Sequence, residues 1–194
     1  MPELPEVETT KRGIEPFLEE KSFVNCITNN PSLRIPFDSN SFLLIKNKRI
    51  KNITRIAKYI SIGFSNNSRL IIHLGMTGTL RVSDKVISLK HDHIIFGIND
   101  GKFLIYNDPR RFGLIKILNK GDEFNLIDNN GPDPFEKHVD AEFLFQKIKN
   151  RKTNVKAILL NNKIISGIGN IYASEILFDS KISPKKLANR LTVN

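Results

Sequence analysis

Cysteine occurs once in the 194 residues, as Cys26, so the chain can neither close an intramolecular disulfide nor build a cysteine-based zinc cluster from its own side chains. No stretch reaches the ~18 uninterrupted apolar residues of a membrane span, and the N-terminus has none of the cationic-then-apolar layout of a secretory signal. Internal repeats and low-complexity tracts are missing too. Acidic residues are scarce: 20 Asp and Glu against 30 Lys and Arg leave a formal net charge of +10 and a pI near 9.7. The expectation is a soluble, cytoplasmic chain with no membrane partner. Its positive excess favours a polyanion, usually nucleic acid. Charge alone fits an ordinary basic protein equally well and says nothing about chemistry.

What is present is enough for a core, since 40% of the residues are hydrophobic. Pro5 to Glu19 reads as a helix: Pro5 suits a first turn, Glu6 and Glu8 complement the dipole, and Val7, Ile14 and Leu18 share a face. Pro16 predicts a bend or an early end. From Ser22 to about Leu118 short β-rich runs follow, among them 42–45, 58–64, 69–74, 93–98, 102–106 and 113–118. Asn99-Asp100-Gly101 reads as a hairpin turn. Residues 121–134, ending in Gly131-Pro132-Asp133-Pro134, read as a connector. Helical texture follows over 141–149, 155–160 and 171–178, with a further start at Ser183-Pro184. The fold class expected is α+β: a catalytic antiparallel β-sandwich with a leading helix over 1–120, a linker over 121–134, and a helical domain over 135–194.

The N-terminus carries chemistry. Removal of Met1, common before a small second residue, would leave Pro2 with a free secondary amine. An ordinary α-amino group titrates near ~8, so part of it is neutral and nucleophilic at physiological pH. Attack on a sugar aldehyde carbon and loss of water then give an iminium directly. Glu3 beside it can pass protons to and from the sugar. An isolated Met-Pro-Glu would carry little weight, but other segments accompany it: Ala57-Lys58-Tyr59, His73-Leu74-Gly75-Met76-Thr77-Gly78, Lys90-His91-Asp92-His93, Asp108-Pro109-Arg110-Arg111-Phe112-Gly113, and Gly167-Ile168-Gly169-Asn170-Ile171-Tyr172-Ala173-Ser174-Glu175.

With the opening Met1-Pro2-Glu3-Leu4-Pro5-Glu6-Val7-Glu8-Thr9, these ordered segments resemble the formamidopyrimidine-DNA glycosylases of the formamidopyrimidine/endonuclease VIII family, over essentially the whole chain. The resemblance implies a monomeric base-excision repair enzyme acting on damaged double-stranded DNA. Such an enzyme is both a glycosylase for oxidised purines, such as 8-oxoguanine and formamidopyrimidines, and an apurinic/apyrimidinic lyase cutting by β,δ-elimination. Flipping the damaged base is a physical necessity, since the sugar atom is inaccessible inside a stacked duplex. By the resemblance, Pro2 is the Schiff-base nucleophile, Glu3 the proton donor, and Lys58 serves elimination and a phosphate. Met76, Arg110 and Phe112 would fill the space left by the flipped base, with Arg110 reaching the orphaned cytosine and Arg111 a phosphate. His91, Arg151, Lys156 and Asn170 would contact DNA, Asn170 within a helix–two-turns–helix element. Taken without the family, Lys58 is one lysine among many, Met76 a core residue, Asp108 to Arg111 a basic turn and Asn170 a helix cap. His91 and His93 would share one face of a strand. With no second ligand cluster, a metal there is not expected.

One departure accompanies the match. The family continues into further helices and a four-cysteine zinc finger, for which this sequence has no ligands. The expectation is therefore a C-terminally truncated or partial sequence with an incomplete helical domain, no cofactor in this chain, and weakened lesion binding. Two alternatives stand beside the main reading: an endonuclease VIII-like glycosylase for oxidised pyrimidines, and a non-catalytic DNA-binding remnant.

Overall fold

The leading helix is fixed at its start by its own side chains. Helix α1, Leu4–Leu18, has Glu3 at its N-cap in a capping box. The Glu3 carboxylate accepts the Glu6 amide, and Glu6 Oε2 accepts the Glu3 amide at 2.8 Å. Leu4, Val7, Ile14 and Leu18 are buried along one stripe. Pro16 falls in the last turn, and the helix ends two residues beyond it rather than at it. Having no N–H, Pro16 leaves the Arg12 carbonyl without its ladder donor, a single lost bond in a helix that closes half a turn later.

The computed structural model describes residues 1–86 and 89–193. Eight strands follow α1: β1 Phe23–Thr28, β2 Ile50–Ile56, β3 Tyr59–Phe64, β4 Arg69–His73, β5 Thr79–Ser83, β6 Asp92–Ile98, β7 Phe103–Asn107 and β8 Leu114–Leu118. They form two antiparallel four-stranded sheets, ordered β1-β6-β7-β5 and β2-β3-β4-β8. Alternate residues of both sheets meet in one core with Val7, Ile14 and Leu18 of α1. Phe23 of the first sheet lies 5.0 Å from Phe96 of its own sheet and 6.0 Å from Phe64 of the second, centroid to centroid. Asn99 to Gly101 turns β6 into β7, with Gly101 at φ 90°, a conformation glycine adopts cheaply.

The strand expected over 42–45 does not form. Residues Ser39–Leu44 make a 3₁₀ helix, started by Asp38, whose Oδ1 accepts the Asn40 amide at 3.0 Å. A local side-chain acceptor offers the backbone an alternative to a ladder. Phe42 is still buried, so the apolar run was core material in another backbone form.

The chain divides into two compact units, Met1–Glu123 and Phe124–Asn194. The second holds α2 Asn125–Asp128, which lies inside the stretch read as a connector, then α3 Ala141–Ile148, α4 Val155–Leu159 and α5 Asn170–Asp179. Asp140 and Asn154 cap α3 and α4, accepting the Phe143 amide at 2.7 Å and the Ala157 amide at 2.8 Å. Two turns separate α4 from α5: Ile164 donates back to Asn161 O at 2.8 Å, and Gly167 takes φ 87°. Val155, Leu159, Ile165, Ile168, Ala173 and Leu177 pack around them. The helix expected from Ser183 is not formed. Val155 N–H donates to Lys186 O and Ala188 N–H to Thr153 O, both at 2.9 Å, and this pairing holds the segment extended before a short 3₁₀ turn at Ala188–Arg190. Among the described residues no helix is long and apolar enough to cross a membrane.

Candidate active site and nucleic-acid interface

The capping box that starts α1 also buries the Glu3 side chain, leaving it 1% exposed. Pro2 is half-buried beside it, and Met1 is largely exposed. Lys58 comes from the two-residue turn between β2 and β3. That turn needs Ala57 at φ 53°, the left-handed region, and α1 helps to hold it there. Glu8 Oε2 accepts Arg55 Nε at 3.1 Å, and Arg55 Nη1 donates to the Ala57 carbonyl at 3.0 Å. Burial lowers the pKa of the Lys58 ammonium, and the nearby Glu3 carboxylate works against that shift. Sequence-predicted Glu3 and Lys58 are therefore electrostatic neighbours, 55 positions apart in sequence, on the two sides of an α1–hairpin contact.

Beside the N-terminus opens a cleft of about 360 Å³ lined by Met1, Arg34, His73, Gly75, Met76 and Phe112. β4 ends in His73 and the loop after it supplies Leu74 to Gly78, while the loop between β7 and β8 supplies Asp108 to Gly113. Met76 and Phe112 stand 39% and 48% exposed, so the core reading of Met76 does not hold. The Arg110 guanidinium lies 4.7 Å from the Phe112 ring centroid. Gly75 takes φ +65°, and a Cβ there would lie 2.4 Å from the Gly113 amide nitrogen. The two loops thus touch backbone to backbone. His73 Nδ1 accepts the Gly75 amide at 3.0 Å. Burial, with the Arg34 and Lys58 charges, pushes the His73 pKa down to about 4 against the pull of Asp108. The ring is therefore neutral at physiological pH, with its proton on Nε2.

Under these loops lies Asp108, fully buried. Its Oδ1 accepts Thr77 Oγ1 at 2.6 Å and the Arg110 amide at 3.3 Å. Its Oδ2 accepts the Gly113 amide at 2.9 Å and the Tyr106 hydroxyl at 3.2 Å. Burial and the Asp108 charge push the Tyr106 phenol far upward, so it stays a donor.

His91 and His93 do not alternate along one strand as expected. β6 begins at Asp92, and His91 sits in the preceding turn at φ 76°. The rings meet edge-on, 6.2 Å between centroids. His93 is buried, its Nε2 donating to the Asp108 carbonyl at 2.7 Å. Asp92 braces the His91 turn, accepting Arg81 Nη1 at 2.9 Å, Asn107 Nδ2 at 2.8 Å and the Leu89 amide at 2.9 Å. Burial alone would raise its pKa, but these donors hold the carboxyl below its usual range.

In the second unit Gly169, not Asn170, is the N-cap of α5, and Asn170 is the exposed first helical residue. The cap reading of Asn170 fails because its own backbone is already inside the helix. Lys156 Nζ donates to Ser174 Oγ at 2.9 Å, and Ser174 Oγ donates to the Asn170 carbonyl at 2.8 Å. Lys156 and Asn170 are thus joined at the positive end of a ten-residue helix, a place that favours anions. Arg151 is exposed, its Nε donating to Lys147 O at 3.0 Å.

The residues named from sequence thus collect in three places, apart from the exposed Arg151 just after α3: Pro2, Glu3 and Lys58 near the N-terminus, Met76, His91, Arg110, Arg111 and Phe112 on adjoining loops, and Lys156 with Asn170 at α5. Sequence reading missed Arg34, Thr77 and Tyr106. Arg34 stands in no periodic pattern. Thr77 acts through Asp108, 31 positions away, which no local signal reports, and Tyr106 lies in β7 two positions before Asp108, where it reads as an ordinary strand aromatic. Among the described residues no group of three or more His, Cys, Asp or Glu side chains could hold a metal ion.

The sequence profile of the formamidopyrimidine-DNA glycosylase N-terminal domain matches residues 1–115, and that of the formamidopyrimidine-DNA glycosylase H2TH domain matches residues 130–194. A formamidopyrimidine-DNA glycosylase of Wolbachia pipientis subsp. Culex pipiens is 46% identical over 193 residues, 99% of this chain and 71% of the relative. One from Haemophilus influenzae strain PittEE is 43% identical over 195 residues, covering 100% and 71%. Among solved structures, the MutM (Fpg) protein of Thermus thermophilus superposes with a TM-score of 0.85 at 32% identity, over 99% of this chain and 69% of that one. Lactococcus lactis formamidopyrimidine-DNA glycosylase, bound non-covalently to DNA containing an AP site, superposes with a TM-score of 0.88 at 30% identity, covering 99% and 75%.

Proposed function

The chain belongs to the formamidopyrimidine-DNA glycosylase family, and from that premise we propose that it excises oxidised purines, 8-oxoguanine and formamidopyrimidines, from duplex DNA and then cleaves the strand as an AP lyase. The observation that carries this reading is the buried Glu3 carboxylate beside Lys58, at the base of an N-terminus whose second residue is proline. DNA as partner is supported by the net charge of +10 and by the neighbours solved with damaged DNA, among them a Lactococcus lactis complex with N7-benzyl-Fapy-dG DNA. The protein acts in the cytoplasm, on DNA, as a monomer.

In the proposed mechanism Met1 is first removed, because its carbonyl ties up the Pro2 nitrogen in an amide. The freed nitrogen lone pair bonds to C1′ of the flipped nucleotide as the C1′–base bond breaks, and the base leaves with that bond's electron pair and a proton taken from water. The Pro2 nitrogen passes its proton to the Glu3 carboxylate, which hands it on to O4′; the sugar ring opens, and the nitrogen becomes an iminium. The iminium acidifies C2′. Loss of that proton expels the 3′ phosphate, and a second elimination expels the 5′ phosphate. Lys58 is suited to a proton role because burial already weakens its hold on its proton, and while charged it can also meet a phosphate. Met76, Arg110 and Phe112 fill the vacated stack, with Arg110 on the widowed cytosine. Arg111, His91, Arg151, Lys156 and Asn170 contact the backbone.

Competitive cleavage of an 8-oxoguanine:cytosine duplex and a thymine-glycol duplex tests the substrate class. Preferential cutting of the first is expected. Preference for the second would assign the chain to oxidised pyrimidines, and binding with no cleavage of either would make it a DNA-binding protein.

A further inference from the structure

Three loops carry the residues that would meet DNA: 74–78 with Met76, 89–91 with His91, and 108–113 with Arg110, Arg111 and Phe112. All three converge on Asp108. Thr77 Oγ1 donates to its carboxylate at 2.6 Å and accepts the Arg110 amide at 3.2 Å, and that same amide reaches Asp108 Oδ1 at 3.3 Å. Thr77, Asp108 and Arg110 therefore close a ring of hydrogen bonds across two loops 31 positions apart. The third loop is tied to the same residue: Asp108 N–H donates to the His91 carbonyl at 3.1 Å, and His93 Nε2 donates to the Asp108 carbonyl at 2.7 Å.

Exposed apolar side chains on loops need a stiff backing if they are to open a stacked duplex. Pushing Met76 and Phe112 between bases opposes an unstacking cost of a few kcal/mol. A loop that yields under that load loses the wedge. Here the backing is a buried charge with donors on both oxygens, and charge-assisted bonds of this kind are roughly twice as strong as neutral ones. Thr77 is the only side chain of the 74–78 loop in the ring, so its hydroxyl is the joint between the Met76 loop and the Arg110–Phe112 loop.

We propose that Thr77 and Asp108 are positioning residues that couple these loops into one wedge, so that Met76, Arg110 and Phe112 enter the duplex together. Neither residue touches the reacting sugar. The proposal rests on the glycosylase reading above, and its test separates the two.

Thr77→Val keeps shape and β-branching but removes the hydroxyl, and Thr77→Ser keeps the hydroxyl. Excision of 8-oxoguanine from an intact duplex needs the wedge. Borohydride trapping of an abasic site in a single-stranded oligonucleotide does not. Thr77→Val should excise from duplex roughly tenfold more slowly, with single-strand trapping changed less than about twofold and Thr77→Ser close to wild type in both. Amide hydrogen exchange, which needs no activity, should rise in parallel in 75–78 and 109–113 for Thr77→Val. Excision by Thr77→Val at the wild-type rate, or equal loss in duplex and single strand, would overturn the coupling. If the wild type itself leaves the lesion duplex uncut, the glycosylase reading falls and exchange decides the coupling. A parallel rise then supports it, and unchanged exchange over 109–113 overturns it.

Discussion

Glu3→Gln is expected to lower base excision by roughly 10²–10⁴-fold, the usual size of a positioned acid–base contribution, while the protein stays folded. Two roles meet in this side chain, and the substitution separates them. As the N-cap of α1, Glu3 accepts the Glu6 amide, and a glutamine carbonyl oxygen can accept the same bond, so the cap should lose at most about 1 kcal/mol. As a proton donor to the opening sugar, glutamine has nothing to offer. Single-turnover excision of 8-oxoguanine, read beside the thermal unfolding midpoint, should show a large rate loss with a small shift in midpoint. A variant within about threefold of wild-type excision would remove Glu3 from the chemistry.

Asp108→Asn should destabilise the β-sandwich unit by about 2–4 kcal/mol, although it is nearly isosteric. All four partners of the carboxylate are donors: the Thr77 and Tyr106 hydroxyls and the Arg110 and Gly113 amides. The hydroxyls can rotate to accept, but the amides cannot. Turned one way, the asparagine NH2 faces the buried Gly113 N–H, which is left unsatisfied; turned the other way it faces the Arg110 N–H, which keeps only Thr77 Oγ1 at 3.2 Å, and both orientations give up the charge-assisted bonds. Urea denaturation followed by the β-sheet signal should show a lower midpoint. A midpoint within about 0.5 kcal/mol of wild type would mean the carboxylate is not the hub described here.

Much of the fold could be read where local chemistry and tertiary demand agree. The α1 stripe of Val7, Ile14 and Leu18, the Asn99–Gly101 turn and several strand positions are of this kind. Reading failed where a local bond or a distant strand decided the backbone. Asp38 turned 39–44 into a 3₁₀ helix, and pairing with 153–155 kept the segment before Ala188 out of an α-helix. A short apolar run such as 42–45 has no period long enough to choose between forms. At the site, motif order singled out Glu3, Lys58, Met76, Arg110 and Phe112 as chemistry, but not how they are held. The Glu8–Arg55 clamp on the Lys58 turn and the Thr77–Asp108 joint link residues 47 and 31 positions apart, and only the packed structure brings such partners together.

The central claim is that the Pro2 nitrogen becomes the covalent link to DNA. It is tested by reducing the protein with borohydride on an oligonucleotide containing an abasic site, then mapping the adduct by peptide mass spectrometry, for Met1-processed and Met1-retained protein in parallel. The expected result is one adduct on the N-terminal peptide at Pro2 in the processed protein and none when Met1 is retained, because an amide nitrogen cannot form the iminium. An adduct of full strength with Met1 in place, or one mapping to Lys58, would contradict the account.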